Sequence, residues 1–411
     1  MPTSQDTTTL STGRTVHLAI GGLALIAVCY GLARFAYGLF VPAFRSAFDL
    51  DAAAAGLIAS GSYGAYCIGI FAATATTPRL GARVVAVGAG VLATAGTALI
   101  AFAPDALVLA AGVMLAGSST GVASPPLAHA VAKRVSAGRR DRVQTIVNAG
   151  TGLGVMVSGP VALLAQEQWR VAWIIFAVIC ALVTAWMAVL MPAARDGAPG
   201  RRGERHAWLP TGAGRLLLAA GTMGLATAAV WTFGQDILTA EGGHDRTFAT
   251  IAWIVLGACG LIGATAGDLA GRIGLARSWT LLMVGAAAAT LAIGVLPGSG
   301  VAAIVASGVF GAVYIALTGI LLVWSTRVYA DVPARGVGVA FLALALGQAV
   351  GAPLLGGGAD AAGLPAAFVA AAAVALIGAL VRPPAGRHRP RRTAGQPAVE
   401  ARTINSGGKT V

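Results

Sequence analysis

The chain has 411 residues, 57% of them hydrophobic and only 10% charged, with a mean hydropathy of +0.80, whereas about a quarter of an ordinary soluble domain is charged. These values exclude a soluble fold and leave no polar stretch long enough for a separate catalytic or nucleic-acid-binding domain. The net charge of +13 must then be explained by position. The Lys and Arg residues sit in loops and tails and do not cluster with aromatic or polar readers on one folded face.

Crossing the hydrocarbon core of a bilayer takes roughly 20 apolar residues. Apolar runs that predict helices fall near residues 18–43, 53–74, 83–103, 106–131, 143–165 and 169–191, and again near 215–237, 248–270, 278–296, 301–325, 336–358 and 363–381. The first run is too long for a cleavable signal and continues through Arg34, Phe35, Ala36 and Tyr37, so it reads as a retained helix. The expected fold is an all-α integral membrane protein of 12 transmembrane helices in two six-helix bundles. Its parts are an N-terminus (1–17), a first bundle (18–191), a central loop (192–214), a second bundle (215–382) and a basic tail (383–411). The tail offers nothing apolar to bury and reads as disordered, with its Arg residues suited to anionic headgroups. Cys29, Cys67, Cys180 and Cys259 all lie inside apolar runs without CxxC spacing, which predicts buried thiols with no metal site or disulfide framework.

Positive residues near membrane ends mark the cytoplasmic side. With the N-terminus inside, all Lys and Arg residues except Arg34, Arg45, Arg170 and Arg246 fall in inner segments, and Asp49, Asp51, Asp105, Glu167, Glu241, Asp245 and Asp360 fall in outer ones. Both termini are therefore expected in the cytoplasm, with the chain in a cytoplasmic (plasma or inner) membrane.

The two halves repeat. Arg79 and Gly81 recur as Arg272 and Gly274, and Gly154 and Pro160 recur as Gly347 and Pro353, at a common offset of 193 residues. Parallel six-helix halves are a frequent plan in transporters. The stretch Gly267, Asp268, Leu269, Ala270, Gly271, Arg272, Ile273, Gly274 resembles the loop signature G-x-L-A-D-R-x-G of the major facilitator superfamily, with a more degenerate copy from Pro78 to Arg83. The stretch Gly31 to Tyr37 looks like a bacterial branch of the same superfamily. The resemblance implies two bundles that rock about a central cavity. In the family the signature's central Asp helps to hold the inward gate shut. Here Pro78 and Gly271 replace it, and Asp268 is the candidate substitute. Gly150, Gly152, Gly154, Gly159 and Pro160 are similar to the Gly-Pro element of family antiporters, although that element's following Gly pair appears instead after Pro353. Small residues that let helices pack closely account for most of this pattern.

A charged side chain within the hydrocarbon region faces a cavity or a partner, which makes Arg34 the leading candidate to bind an anion by paired hydrogen bonds. Tyr37, Asn148, Tyr314, Thr318 and Gln348 are the other substrate-binding candidates. Asp236, on the symmetry mate of the first helix, is expected to face Arg34 as an ion-paired outer gate. Asp236 and His129 are the candidates for proton coupling. Tyr63, Tyr66 and Trp324 are expected to pack, with stacking on a substrate ring as the alternative. Arg79, Gly81, Asp268, Arg272 and Gly274 are the conformational loop residues, and Gly154, Gly159, Pro160 and Pro353 serve hinges or packing.

The expected function is secondary active transport of a small organic solute, an organic anion or zwitterion, by a proton-coupled monomer that needs no cofactor, lies among membrane lipids and binds no nucleic acid. The alternatives are a drug or metabolite efflux antiporter and a non-transporting membrane sensor. An enzyme is not expected, because there is no HExxH, no GxSxG with partners and no paired intramembrane carboxylates.

Overall fold

The computed structural model describes residues 10–50, 52–165, 168–191 and 209–384. Most of the predicted tail, N-terminus and central loop lies outside these residues. What is described is helical almost throughout, and it groups into twelve rods. Rod α1 covers residues 12–48. It is followed by α2 (Ala52–Leu80), α3 (Ala82–Ala101), α4 (Ala106–Arg134), α5 (Ala137–Leu164) and α6 (Trp169–Leu190). The second set is α7 (Ala213–Glu241), α8 (Arg246–Ile273), α9 (Leu275–Val295), α10 (Gly300–Val328), α11 (Pro333–Ala362) and α12 (Leu364–Leu380). Among the described residues, ten helical segments are long and apolar enough to cross a membrane.

Helix is the form this composition requires, because in lipid a backbone N–H or C=O must find its partner within the segment. Several rods extend past the expected edges, and polar side chains cap some of their starts. Asp105 accepts from the Val108 amide at 2.9 Å, and Asp245 accepts from the Phe248 amide at 2.7 Å. Between α2 and α3, and again between α8 and α9, the chain turns at a single glycine. Gly81 has φ of 84° and Gly274 has φ of 86°, a region that side-chain-bearing residues avoid. The repeated glycine of the loop signature thus has a backbone cause.

The halves also repeat in packing. A Cβ on Gly154 would stand 2.1 Å from the Ala27 carbonyl oxygen of α1, and one on Gly347 would stand 2.1 Å from the Gly221 carbonyl oxygen of α7. The α1–α5 and α7–α11 pairs therefore approach backbone to backbone. Gly159 faces Ile254 of α8, while Pro160 and Pro353 lie inside helices with exposed rings. Large apolar side chains cover the outside, among them Leu57, Phe71, Leu107 and Val189. Contiguous exposure of this kind marks a surface that meets lipid. All four cysteines are free, Cys29 and Cys180 fully buried and the other two partly so.

Candidate functional site: a buried arginine between the halves

In the middle of α1 the helix widens to a π-helix over Ala27–Phe35. Such segments free a carbonyl from the regular ladder and often occur at functional sites. The Cys29 carbonyl accepts from Thr120 Oγ1 of α4 at 2.9 Å, and Tyr30 shares a hydrogen bond of 2.9 Å with Ser124. Near the end of this segment Arg34, half-buried, turns its guanidinium into a small cavity of about 10 Å³, room for about one water.

The cavity walls come from both halves. Tyr30, Arg34, Tyr66, Asn148 and Thr151 belong to the first, and Tyr314, Thr318, Phe341, Leu344 and Gln348 to the second. Arg34 Nη2 donates to Gln348 Oε1 at 3.4 Å, and Gln348 Nε2 donates to the Tyr314 hydroxyl at 3.4 Å. The guanidinium carbon lies 4.6 Å from the Tyr66 ring centroid, 4.8 Å from that of Tyr63 and 5.2 Å from that of Phe35. Contacts of this type contribute roughly 0.5–2 kcal/mol each. Opposite Arg34, Asn148 Nδ2 donates to Thr318 Oγ1 at 2.7 Å and to the Ile315 carbonyl at 3.0 Å, joining α5 to α10. Arg34 is the one ionised side chain among the lining residues, and its partners among the described residues are neutral.

Of the candidates read from sequence, Arg34, Asn148, Tyr314, Thr318 and Gln348 therefore meet in one place. Tyr37 does not line that cavity. It is buried in the following stretch of α1, with its ring 5.6 Å from that of Phe44. Asp236 is exposed near the end of α7, and the expected ion pair with Arg34 does not form, because the π segment points Arg34 inward to Gln348. His129 is buried within α4, away from the cavity lining. Trp324 packs as expected, 5.9 Å from Trp279. Tyr63 and Tyr66, for which packing is expected ahead of stacking, present their ring faces to the Arg34 guanidinium. Their i, i+3 spacing on one helix face was the available signal. Sequence reasoning also missed Tyr30, Thr151 and the stack of Phe35 on Trp231, with ring centroids 4.3 Å apart and planes at 20°. That stack joins α1 to α7 one residue beyond Arg34.

A second cluster ties the halves together at the end of the bundle that carries the Arg-rich loops. Asp141 of α5 pairs with Arg327 of α10, and Arg142 Nε lies 3.6 Å from Asp268 Oδ2 of α8. Thr145 Oγ1 donates to the Ala264 carbonyl at 2.9 Å. Asp268, beside the position where the loop signature's acid is missing, thus holds a cation of the opposite half. Arg79 and Arg272 are exposed at the ends of α2 and α8.

The sequence pattern of the Major Facilitator Superfamily matches residues 23–340. The chain belongs to that superfamily. It is a multi-pass membrane transporter by family and not an enzyme. Among solved structures it is similar to the transporter FucP in the outward conformation, with a TM-score of 0.66 and 17% identity over 90% of this chain and 99% of that one. That likeness speaks to the fold. Among curated proteins it is 27% identical over 300 residues to "Transcription regulatory protein OpdE" of Pseudomonas aeruginosa, covering 69% of this chain and 72% of that protein.

Proposed function

We propose that the protein is a secondary transporter that carries a small organic anion through the Arg34 cavity by alternating access. The observation that carries this reading is a cation at the junction of the two halves whose partners are all neutral. Moving a charge out of water without a counter-charge costs several kcal/mol, and an anionic cargo supplies that counter-charge. The cavity has room for about one water, so admitting a solute requires the halves to separate. In a two-bundle carrier that separation is the transport step.

The proton gradient is the proposed energy source. Asp236 at the exposed end of α7 and His129 in α4 are the proposed titrating groups outside the cavity. The carrier works as a monomer without cofactor, in a cytoplasmic membrane crossed twelve times, with its basic end and both termini in the cytoplasm. The excess of Arg at that end supports this orientation.

The test is reconstitution in liposomes loaded with a pH-sensitive dye, with organic acids, amino acids and cationic drugs added outside. Proton flux with an acid, lost in Arg34→Ala, is the expected result. Flux with cationic drugs alone, indifferent to Arg34→Ala, would replace this reading with drug or metabolite efflux. The name of the OpdE relative favours a second reading, a membrane sensor that binds a solute without moving it. Binding by the purified protein with no flux of any bound compound would establish that alternative.

A further inference from the structure

Arg34 and Gln348 hold each other loosely. Their contact of 3.4 Å, and the 3.4 Å contact from Gln348 to Tyr314, are long beside the 2.7–2.9 Å usual when a cationic N–H meets a carboxylate. Gln348 is nonetheless only 2% exposed. Resting on the reading that Arg34 receives the anionic group of the cargo, we propose that Gln348 is a neutral placeholder. Its amide oxygen occupies the position on Arg34 that a carboxylate oxygen of the cargo takes, and the cargo is a small monocarboxylate with an uncharged hydroxyl or carbonyl as its second polar group.

Three features lead to this assignment. An amide oxygen offers the same planar acceptor geometry as a carboxylate oxygen but without the charge, so it satisfies Arg34 between cargoes and yields to a true anion. A glutamate in its place would not yield. Next, Arg34 is the one ionised group among the lining residues. One positive charge balances one negative charge. A dianion would leave a charge uncompensated, and an ammonium group would find no carboxylate among the lining residues. The wall facing Arg34 offers Asn148, Thr318 and the Tyr314 hydroxyl, neutral groups that suit a hydroxyl or carbonyl. Finally, Arg34 lies on α1 and Gln348 on α11, so their hydrogen bond crosses between the halves. A cargo that displaces Gln348 exchanges a weak tie within the protein for one through itself. Gln348 Nε2, still beside Tyr314, can then donate to the second oxygen of the same carboxylate.

The placeholder is tested by changing its charge. Wild type, Gln348→Glu, Gln348→Met and Arg34→Ala/Gln348→Glu are purified in detergent and followed by thermal unfolding. The probes are lactate, glycerate and pyruvate as monoanions, succinate as a dianion and alanine as a zwitterion. Monoanions are expected to raise the wild-type Tm, with succinate and alanine well behind. Without ligand, Gln348→Glu should melt above wild type because Arg34 gains an internal counter-charge, and the double variant should lose that gain. The affinity of Gln348→Glu for the best monoanion should fall about a hundredfold, the order of one hydrogen bond to a charged group. Gln348→Met, neutral and without an amide oxygen, should melt lower without ligand and show at least the wild-type shift with it; this variant decides alone if Gln348→Glu does not fold. Unaltered monoanion binding in Gln348→Glu, or a smaller shift in Gln348→Met, overturns the placeholder. Succinate or alanine binding as well as the monoanions overturns the cargo class. No monoanion response in wild type, or one that survives Arg34→Ala alone, overturns the underlying reading of Arg34.

Discussion

The charges at the basic end and the charge at the centre obey opposite rules. At the basic end Asp141 with Arg327, and Arg142 with Asp268, are matched pairs, and the Arg142 and Asp268 side chains are 66% and 44% exposed. Exposed pairs contribute about 0–1 kcal/mol each, so they join the halves by ties weak enough to break. Among the described residues Arg34 has no acid beside it, and it rests on ring faces and a weak amide contact. Its charge is the more consequential because it is the less compensated. A transporter needs both kinds: surface ties weak enough to break, and a central group strong enough to make the arrival of cargo change the balance.

The sharpest way to break this contrast is Arg34→Lys, which keeps the charge and removes the flat fork that lies on Tyr63 and Tyr66 and that pairs with carboxylates. Uptake of the responsive acid should fall at least about tenfold, the order of one lost charged hydrogen bond, in liposomes with equal protein content. Wild-type uptake in this variant would mean that position, and not guanidinium geometry, is what Arg34 supplies. Next in size is Asn148→Ala, which strips a buried tie between α5 and α10 and leaves Thr318 with one partner fewer. A loss of about 1–3 kcal/mol should appear as a lower Tm in detergent, with no such loss for an exposed control, Thr232→Ala. The smallest effects belong to the basic end. Asp141→Asn and Asp268→Asn should each change stability by less than about 1 kcal/mol while raising the labelling of a cysteine placed at Thr145 by a reagent added on the side of the Arg-rich loops. High salt should reproduce that change in wild type by screening. A large stability loss in either variant would mean that the basic-end pairs are not weak surface ties.

The fold was legible because its causes are local. Apolar runs of membrane length, arginines gathered on alternate loops and a repeat that carries Gly81 onto Gly274 and Gly154 onto Gly347 are all one-dimensional signals. Each reports a constraint that acts within a few residues, whether a buried backbone, a surface charge, a positive φ or a close helix approach. The site was legible in part. Arg34, Asn148, Tyr314, Thr318 and Gln348 stood out as polar groups at depth, since such groups are costly wherever they point. Tyr63 and Tyr66 did not stand out, because an aromatic ring in a helix reads the same whether it packs on leucine or on a guanidinium.

Sequence by itself therefore determined that this chain is a two-bundle membrane protein with one cation in its middle. Only the tertiary structure decided what that cation meets. The expected partner, Asp236, lies exposed near the end of α7, and the observed one, Gln348, is 314 residues away along the chain. The depth of a residue follows from its place in its own helix. The direction it faces follows from a widened turn in α1, a threonine on α4 that captures the Cys29 carbonyl and the way two bundles close on each other, none of which leaves a periodic mark in the sequence.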